Sequence, residues 1–161
     1  MILPARIVLA AAALLACTAC AETPRQPSPG NSTGTSDGRK CAIFNNDFRF
    51  ALGEIPDAKS PGFDDSRWSH TGLPRSFAIP YFRSPHFPVG EGWYRKHFSM
   101  PRLDAARRVR LDFEAAFQDC DVFLNGRRVG GHQGGYTGFS VDLTPALRVG
   151  DNVLAVRVDN R

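Results

Sequence analysis

Carboxylates are the side chains of this sequence best suited to chemistry, since a positioned pair can exchange protons with a substrate. The candidates are Glu54, Asp64, Asp65, Glu91, Glu114 and Asp121. Asp64 and Asp65 lie in a turn bounded by Gly and Ser, where Asp commonly caps its own backbone. Glu114 and Asp121 fall at outward positions of predicted strands. These patterns predict structural roles, and we expect no catalytic residue among the six.

The sequence contains weaker signals for a metal site, a catalytic nucleophile or a phosphate-binding loop. Four His residues lie far apart in the chain: His70, His86, His97 and His132. We expect them at the surface or in hydrogen bonds rather than around a metal ion. No serine has a nucleophile-elbow motif. The pairs Gly130-Gly131 and Gly134-Gly135 follow a strand but open no helix, so they indicate turns or bulges. The sequence therefore implies no metal and no cofactor.

The elements that position these side chains are predicted to be β-strands, because apolar residues in the sequence recur at every second position. Arg108 to Glu114 alternates strictly between apolar and charged, which is typical of a strand with one face in a core. Asp119 to Leu124 has the same period and ends at Asn125-Gly126, a strong signal for a two-residue hairpin turn. Further strands are predicted at Phe48 to Leu52, Trp68 to Leu73, Ser76 to Ile79, Gly92 to Met100 and Asn152 to Asn160.

Helical spacing occurs only at Thr144 to Leu147, where we predict one turn with Thr144 as N-cap and Gly150 as its stop. Short strands separated by Gly, Pro and Asn, without helices to cover a parallel sheet, imply an all-β fold. We predict an antiparallel β-sandwich of the jelly-roll type.

The N-terminus has the pattern of an export signal. Residues 1–16 contain one charge, Arg6, before an apolar run of about ten residues that is too short to span a bilayer. Leu14-Leu15-Ala16-Cys17 resembles the lipobox of bacterial lipoproteins, which implies that Cys17 is acylated and becomes the mature N-terminus. The alternative is an ordinary signal peptide cleaved after Ala16, Ala19 or Ala21. We expect a periplasmic or outer-membrane lipoprotein whose only membrane contact is its lipid.

The chain divides into three parts: a signal at residues 1–16, a flexible Pro/Ser/Thr/Gly linker at residues 17–38 and a folded domain at residues 39–161. Disulfides persist in exported proteins, and the folded part contains Cys41 and Cys120. They can pair with each other or remain free. The position of Cys120 inside an apolar strand favours two free thiols.

The charge of the chain does not favour a nucleic-acid partner. The net charge is +4, and the basic residues are scattered among carboxylates in runs no longer than a pair. Nucleic-acid binding calls for basic residues clustered on one face with aromatics between them. We interpret the excess charge as a solvated surface.

Eight short motifs occur in a fixed order over residues 45–161. They are Phe63-Asp64-Asp65-Ser66-Arg67-Trp68, Leu73-Pro74, Gly92-Trp93-Tyr94-Arg95-Lys96, Asp121-Val122-Phe123-Leu124-Asn125-Gly126, Gly134-Gly135-Tyr136-Thr137-Gly138-Phe139, Asp142-Leu143-Thr144, Gly150-Asp151-Asn152 and Val156-Arg157-Val158-Asp159-Asn160. Together they resemble the N-terminal sugar-binding domain of glycoside hydrolase family 2, the β-galactosidase, β-glucuronidase and β-mannosidase group. The resemblance implies a galactose-binding-domain-like jelly roll and favours the β-galactosidase-like branch.

In that family an immunoglobulin-like domain and a TIM barrel with both catalytic Glu residues follow the sugar-binding sandwich. Since the sequence stops at Arg161, the resemblance implies that neither catalytic carboxylate is present and that these residues alone are inactive. The family's loop before the Gly-Trp-Tyr-Arg motif can reach the sugar, so Tyr81, Arg83 and His86 are the expected carbohydrate contacts. Alternatively, the aromatic residues of this loop pack against the barrel.

Three functions remain open. The chain is the leading module of an exported family 2 glycosidase, a stand-alone lipid-anchored carbohydrate-binding protein, or an inert gene fragment. In the first two cases its partner is a carbohydrate, a β-glycoside.

Overall fold

The computed structural model describes the backbone of residues 2–8, and residues 41–76, 88–104 and 106–161. In chain order the strands are β1 (Ile2–Val8), β2 (Ala42–Ile43), β3 (Phe48–Leu52), β4 (Ser69–Thr71), β5 (Glu91–Met100), β6 (Arg108–Ala115), β7 (Asp119–Leu124), β8 (Arg127–Gln133), β9 (Phe139–Asp142) and β10 (Gly150–Asp159). A short 3₁₀ helix, Pro56–Lys59, follows β3. No helix of the described residues is long and apolar enough to cross a membrane.

These strands form two sheets. One has six strands in the order β4-β3-β5-β10-β7-β8, and the other has four in the order β2-β1-β6-β9. Strand β1 pairs in parallel with β2 and β6, and the other described pairs are antiparallel. The inward residues of both sheets share one core, which includes Phe48, Tyr94, Leu111, Val122 and Val156. The predicted β-sandwich is confirmed.

Most of the predicted strands are present in the structure. The alternation of apolar and polar residues predicted them correctly, because it reflects one buried and one exposed face. Cys120, Val122 and Leu124 are buried along β7, and Asn125 and Gly126 have the positive φ angles that the hairpin turn requires. Strands β2 and β9 were not predicted, since two or four residues are too few to show a period. Strand β1 was not predicted either, because its residues fall within the proposed export signal. The predicted strand after Ser76 lies outside the described residues, apart from Ser76 itself, which is not in a strand.

The predicted N-cap at Thr144 is wrong, although a turn forms there. The Leu147 amide donates to the Leu143 carbonyl at 3.0 Å, so the chain makes one helical turn. The Asp142 carboxylate accepts from the Thr144 amide, while the Thr144 hydroxyl accepts from the Val109 amide on the neighbouring strand. The carboxylate is the stronger acceptor for a turn amide, and it leaves the hydroxyl free to join the turn to β6.

The central strand β5 is buried on both faces. Residues Gly92 to Lys96 are all buried, and Trp93 and Tyr94 point to opposite sides of the sheet. Trp93 contributes to a second apolar cluster on the outer face, with Ala58 and Ala155 at its centre. The segment from Gly53 to Trp68 therefore covers the outer face and forms a small second core there.

Lys96 is a buried charge on the inner face of the same strand. Its Nζ donates to the Asn46 carbonyl and lies 4.5 Å from the centre of the Phe44 ring. Burial lowers the pKa of this ammonium group. The carbonyl and the ring face replace part of the hydration that the ammonium loses.

Cys41 and Cys120 are both free thiols, as the strand pattern favoured. Cys41 is exposed, whereas Cys120 is buried in the core, and burial raises the pKa of its thiol to about 11.

We expect iodoacetamide at pH 8 to alkylate Cys41 and to leave Cys120 unmodified, because the thiolate is the reacting form. Peptide mass spectrometry of the labelled protein measures both sites. Labelling after unfolding in guanidinium is the control, and there both thiols should react equally. Equal labelling in the native protein would contradict the buried position of Cys120.

Candidate functional site

Loops that are distant in the sequence meet at one end of the six-stranded sheet, which we call the Asn160 end. The Asn160 side chain accepts from the Gly90 amide at 2.7 Å and donates to the Pro88 carbonyl at 2.9 Å. The Gln118 amide donates to the Asp159 carbonyl, and the Gly134 amide donates to the Gln118 carbonyl. These bonds fix the ends of β5, β7, β8 and β10 relative to one another.

The predicted sugar contacts adjoin this end in the sequence. Tyr81, Arg83 and His86 lie outside the residues that the structure describes, as does the proposed lipidation site Cys17. The segment of residues 77–87 rejoins the described part at Pro88, which Asn160 holds. Pro88, the residue that follows that segment, therefore lies at the Asn160 end.

Three large apolar or aromatic side chains of the described residues are exposed at the Asn160 end: Tyr136 at 75%, Val89 at 63% and Leu52 at 53%. The Tyr136 ring contacts the edge of Phe117 with 5.7 Å between centroids. Gly135 leaves room for this contact, since a Cβ there would lie 2.0 Å from the Phe117 ring. Sequence reasoning placed Tyr136 in one of the family motifs but did not name it as a sugar contact. The Gly-Gly pair before it was the available signal, because glycines permit the close approach of a ring.

We expect Gly135→Ala to lower the free energy of unfolding by about 1–3 kcal/mol, because the added methyl group overlaps Phe117. Urea denaturation followed by fluorescence measures the change. Gly62→Ala is the matched control, since a Cβ at Gly62 meets no atom within 4 Å and the residue does not need positive φ. Equal stability of the two variants would contradict the packing of Gly135 on Phe117.

Charged side chains form a row across the outer face near the Asn160 end. Arg157 donates to Glu91 at 2.6 Å and to Asp121 at 2.9 Å, and Asp121 also accepts from Arg128 at 2.7 Å. The pKa of Arg157 is raised, mainly by its hydrogen bond to Glu91. The guanidinium lies between the two carboxylates, so this arrangement holds charge in place and does not leave a free acid/base pair.

Asp65 has a different role from the predicted turn cap. Asp64 does accept from the Ser66 amide as predicted, but Asp65 is only 3% exposed and accepts from three side chains. Arg49 lies at 2.6 Å, Arg95 at 2.8 Å and His97 at 2.8 Å from its carboxylate oxygens. The pattern of turn residues gave no indication of this, because all three partners come from strands of the six-stranded sheet.

Arg95 connects this carboxylate to the covering segment. It is fully buried and donates to the carbonyls of Ala58, Ser60 and Phe63. Burial alone would raise the pKa of Asp65, but the hydrogen bonds from Arg95 and His97 outweigh it and lower that pKa. The cluster therefore fastens the outer-face segment to β5.

The other predicted groups are dispersed. Glu54 is exposed beside Arg161 at 3.6 Å, and Glu114 is exposed on β6. His70 is exposed, and His132 forms a hydrogen bond with the Thr137 hydroxyl at 2.8 Å. Within residues 41–76, 88–104 and 106–161, no group of three or more His, Cys, Asp or Glu residues could hold a metal ion.

Two shallow depressions flank Arg157 on the outer face. The first, of about 300 Å³, is lined by Trp93 and Phe123 among others, and the second, of about 560 Å³, by Asp119, Arg128 and other polar side chains. The first places charged groups beside aromatic and aliphatic side chains, whereas the second is lined mainly by polar and charged side chains. This combination suits hydroxyl-rich ligands better than apolar ones.

Comparison with known proteins extends over most of the described domain. Residues 47–160 match the family model described as glycosyl hydrolases family 2, sugar binding domain. The chain is 40% identical over 140 residues to a β-galactosidase of Bacteroides ovatus, covering 81% of this chain and 16% of that enzyme. It is 31% identical over 152 residues to a β-glucuronidase of Formosa agariphila, covering 88% of this chain and 16% of that enzyme.

Solved structures agree with the sequence relatives. The β-glucuronidase of Bacteroides uniformis superposes with a TM-score of 0.69 at 35% identity, covering 73% of this chain and 14% of that chain. This chain thus spans less than a fifth of the length of the relatives it matches. Because the family model covers more than two thirds of the chain and the fold agrees, the chain belongs to glycoside hydrolase family 2, through that family's sugar-binding domain.

Proposed function

We propose that the chain is the N-terminal carbohydrate-binding module of an exported, β-galactosidase-like family 2 glycoside hydrolase, and that it binds a β-glycoside without cleaving it. The match of residues 47–160 to the sugar-binding domain carries this proposal. The β-galactosidase of Bacteroides ovatus has higher identity to this chain than the β-glucuronidase of Formosa agariphila, which supports the β-galactosidase-like branch.

The Asn160 end supplies groups that suit a sugar. An exposed ring such as Tyr136 can cover the apolar face of a pyranose, and Tyr81 would add a second ring. Sugar hydroxyls both donate and accept, so Arg83 and His86 would hold them as donors while Asp119 and other outer-face carboxylates accept. A neutral sugar is favoured over an anion, since Arg157 is already paired with Glu91 and Asp121.

The arrangement of the described carboxylates supports binding without hydrolysis. Retaining hydrolysis needs two carboxyls about 5 Å apart with the sugar carbon between them. In the described part of the chain, the Arg157 guanidinium fills the space between Glu91 and Asp121. We infer that an immunoglobulin-like domain and a TIM barrel, the downstream partners of this module, supply the catalytic groups.

Calorimetric titration of the full chain with β-galactosides and β-glucuronides at millimolar concentration tests the binding. We expect Tyr136→Ala and Tyr81→Ala each to weaken affinity about tenfold, the equivalent of 1.4 kcal/mol. Val149→Ala is the control, because Val149 is 62% exposed but lies at the opposite end of β10. Absence of binding to every glycoside would refute the proposal, and so would nitrophenyl-glycoside turnover that disappears when one carboxylate is replaced.

The export part of the proposal has its own test. A cell grown with radioactive fatty acid should label the chain at Cys17, because Leu14-Leu15-Ala16-Cys17 has the lipobox pattern. Cys17→Ala should lose the label and Cys20→Ala should keep it. Equal label in the two variants, or none in the unaltered chain, would exclude a lipid anchor at Cys17 and leave an ordinary cleaved signal peptide as the alternative.

A further inference from the structure

The turn between β7 and β8 contains the only Asn-Gly pair of the sequence, Asn125-Gly126. Asn-Gly is the pair in which an asparagine side chain most readily loses its amide group, because glycine has no side chain to hinder its own backbone nitrogen. This chemistry is independent of the proposed function, since it involves no sugar and no carboxylate of the outer face.

The reaction at such a pair is a ring closure followed by a hydrolysis. The Gly126 nitrogen attacks Asn125 Cγ, so that a new N–Cγ bond forms while the Cγ–Nδ2 bond breaks. The Gly126 nitrogen gives up its proton, and the side-chain amide leaves as ammonia. Water then opens the succinimide ring at either of its carbonyls, which leaves aspartate or isoaspartate in place of the asparagine.

In the folded protein, both polar atoms of the Asn125 side chain are held by hydrogen bonds. Its Oδ1 accepts from the Val153 amide at 3.0 Å, and its Nδ2 donates to the Ala146 carbonyl at 2.9 Å and to Asn152 Oδ1 at 2.8 Å. The Asn125 amide also donates to the Val153 carbonyl. Ring closure moves Cγ toward the Gly126 nitrogen and detaches Nδ2, so these side-chain bonds must break first.

The same partners make the folded state intolerant of the aspartate product. The two groups that accept from Asn125 Nδ2 are the Ala146 carbonyl and Asn152 Oδ1. Asn152 cannot reverse its amide, since its Oδ1 also accepts from the Arg148 amide and its Nδ2 donates to the carbonyls of Arg148 and Gly150. Aspartate would therefore place a carboxylate oxygen against two acceptors, where it gains no hydrogen bond and is repelled.

The isoaspartate product would disturb the turn itself. Asn125 and Gly126 have φ angles of 53° and 83°, the left-handed geometry of a two-residue hairpin turn that pairs Leu124 with Arg127. Isoaspartate directs the main chain through the former side chain and lengthens it by a carbon atom, so the turn no longer matches this register. There is little room for the change, since a Cβ on Gly126 would lie 3.2 Å from the Pro61 ring.

We propose that Asn125-Gly126 is a deamidation site that the fold protects, and that its modification in the unfolded chain prevents refolding. The folded protein holds the Asn125 amide through Val153, Ala146 and Asn152. In the unfolded chain these partners are absent, and the Gly126 nitrogen is free to attack. Each period of unfolding therefore removes part of the chain permanently from the folded population, as chemical modification does for proteins that unfold irreversibly.

Incubation at pH 8 of the native chain, and of the chain unfolded in guanidinium, tests the protection. Peptide mass spectrometry measures the conversion at Asn125, which should be at least about a hundredfold slower in the folded chain, because the site reacts only when it opens. Asn152-Val153 is the internal control, since the branched Val153 side chain hinders attack and should keep Asn152 unmodified in both states. Equal rates for Asn125 in the two states would overturn the proposal, and so would an unfolded chain that is not converted.

Two destabilised variants separate local protection from overall stability. Asn152→Ala removes one hydrogen bond from the Asn125 amide, whereas Gly135→Ala strains the packing at the Asn160 end. Urea is added to the more stable variant until both have the same free energy of unfolding. Conversion should then be faster in Asn152→Ala by up to about tenfold, the effect of one lost hydrogen bond. Equal rates at equal stability would overturn the assignment of the protection to these bonds.

Refolding measures the consequence of the modification. Samples converted to increasing extents in guanidinium are diluted into buffer, and size-exclusion chromatography separates the native fraction from the rest. The native yield should fall in step with conversion, and peptides modified at Asn125 should be depleted from the native fraction. A native fraction that contains the modified peptide in the same proportion as the starting sample would overturn the proposal.

A substitution that reproduces one product gives an independent test. Asn125→Asp should shift the urea midpoint well below that of Asn46→Asp, which makes the same change of charge at an exposed asparagine. Failure of Asn125→Asp to fold, while Asn46→Asp folds, supports the proposal in the same way as a lowered midpoint. Equal midpoints for the two variants would show that the folded state tolerates the aspartate and would overturn the proposal.

Discussion

Asp65→Asn is expected to lower the free energy of unfolding by about 3–5 kcal/mol, because it leaves a buried guanidinium without a counter-charge. Arg95 is fully buried, and Asp65 is the carboxylate that pairs with it. The loss should also loosen the segment that Arg95 holds through the carbonyls of Ser60 and Phe63. Guanidinium denaturation measures the stability, and amide hydrogen exchange reports the loosening of that segment.

Asp64→Asn is the matched control for this prediction. Asp64 is the neighbouring carboxylate, but it faces solvent and its hydrogen bonds come from Ser66. We expect a clearly smaller loss for Asp64→Asn than for Asp65→Asn. Similar losses for the two variants would mean that Asp65 acts as an ordinary turn residue and that its cluster contributes little.

The same cluster predicts how stability depends on pH. Hydrogen bonds from Arg95 and His97 lower the pKa of Asp65 against the effect of burial. A carboxylate with a lowered pKa in the folded state stabilises the protein above its unfolded pKa, about 3.9, and this contribution is lost as pH falls through the folded value. Denaturation curves below pH 5 should therefore show a steeper fall for the unaltered chain than for Asp65→Asn.

The family motifs were visible in the sequence, but the contacts between them were not. Asp65 binds Arg95 from another motif, Asn125 binds Asn152, and the Asn160 side chain accepts from the Gly90 amide. Each pair joins residues at least 27 positions apart, and no periodic pattern links such positions. Several residues of the motifs that identify this family therefore hold the parts of the sandwich together.

The strands of the core were predictable because a half-buried strand shows its period in every residue. The segment that covers the outer face could not be predicted. Its apolar residues do not recur with a regular period, and hydrogen bonds from Arg95 hold it in place. This is why β5 deviates from alternation at Trp93 and Arg95, which a bare sheet would expose to water. The exposure of Tyr136 could not be predicted for a similar reason. It depends on loops that are distant in the sequence and adjacent in the folded structure.

Asn152→Ala should lower the free energy of unfolding by about 3 kcal/mol or more, since a buried group loses all of its hydrogen bonds. The Asn152 side chain is 1% exposed, accepts from the Arg148 amide and the Asn125 side chain, and donates to the carbonyls of Arg148 and Gly150. Alanine would remove one hydrogen bond from each of these four groups at the end of the sheet opposite Asn160. Urea denaturation of the full chain measures the loss.

Asp151→Ala tests whether this loss is specific to the amide. Asp151 precedes Asn152 on β10 but is exposed, so its removal should change stability little. The Asn152→Ala variant should still bind sugar once it is folded, because Asn152 and the Asn160 end lie at opposite ends of the strand. Loss of binding by a folded Asn152→Ala protein would show that the two ends are coupled and that the sugar site extends beyond the Asn160 end.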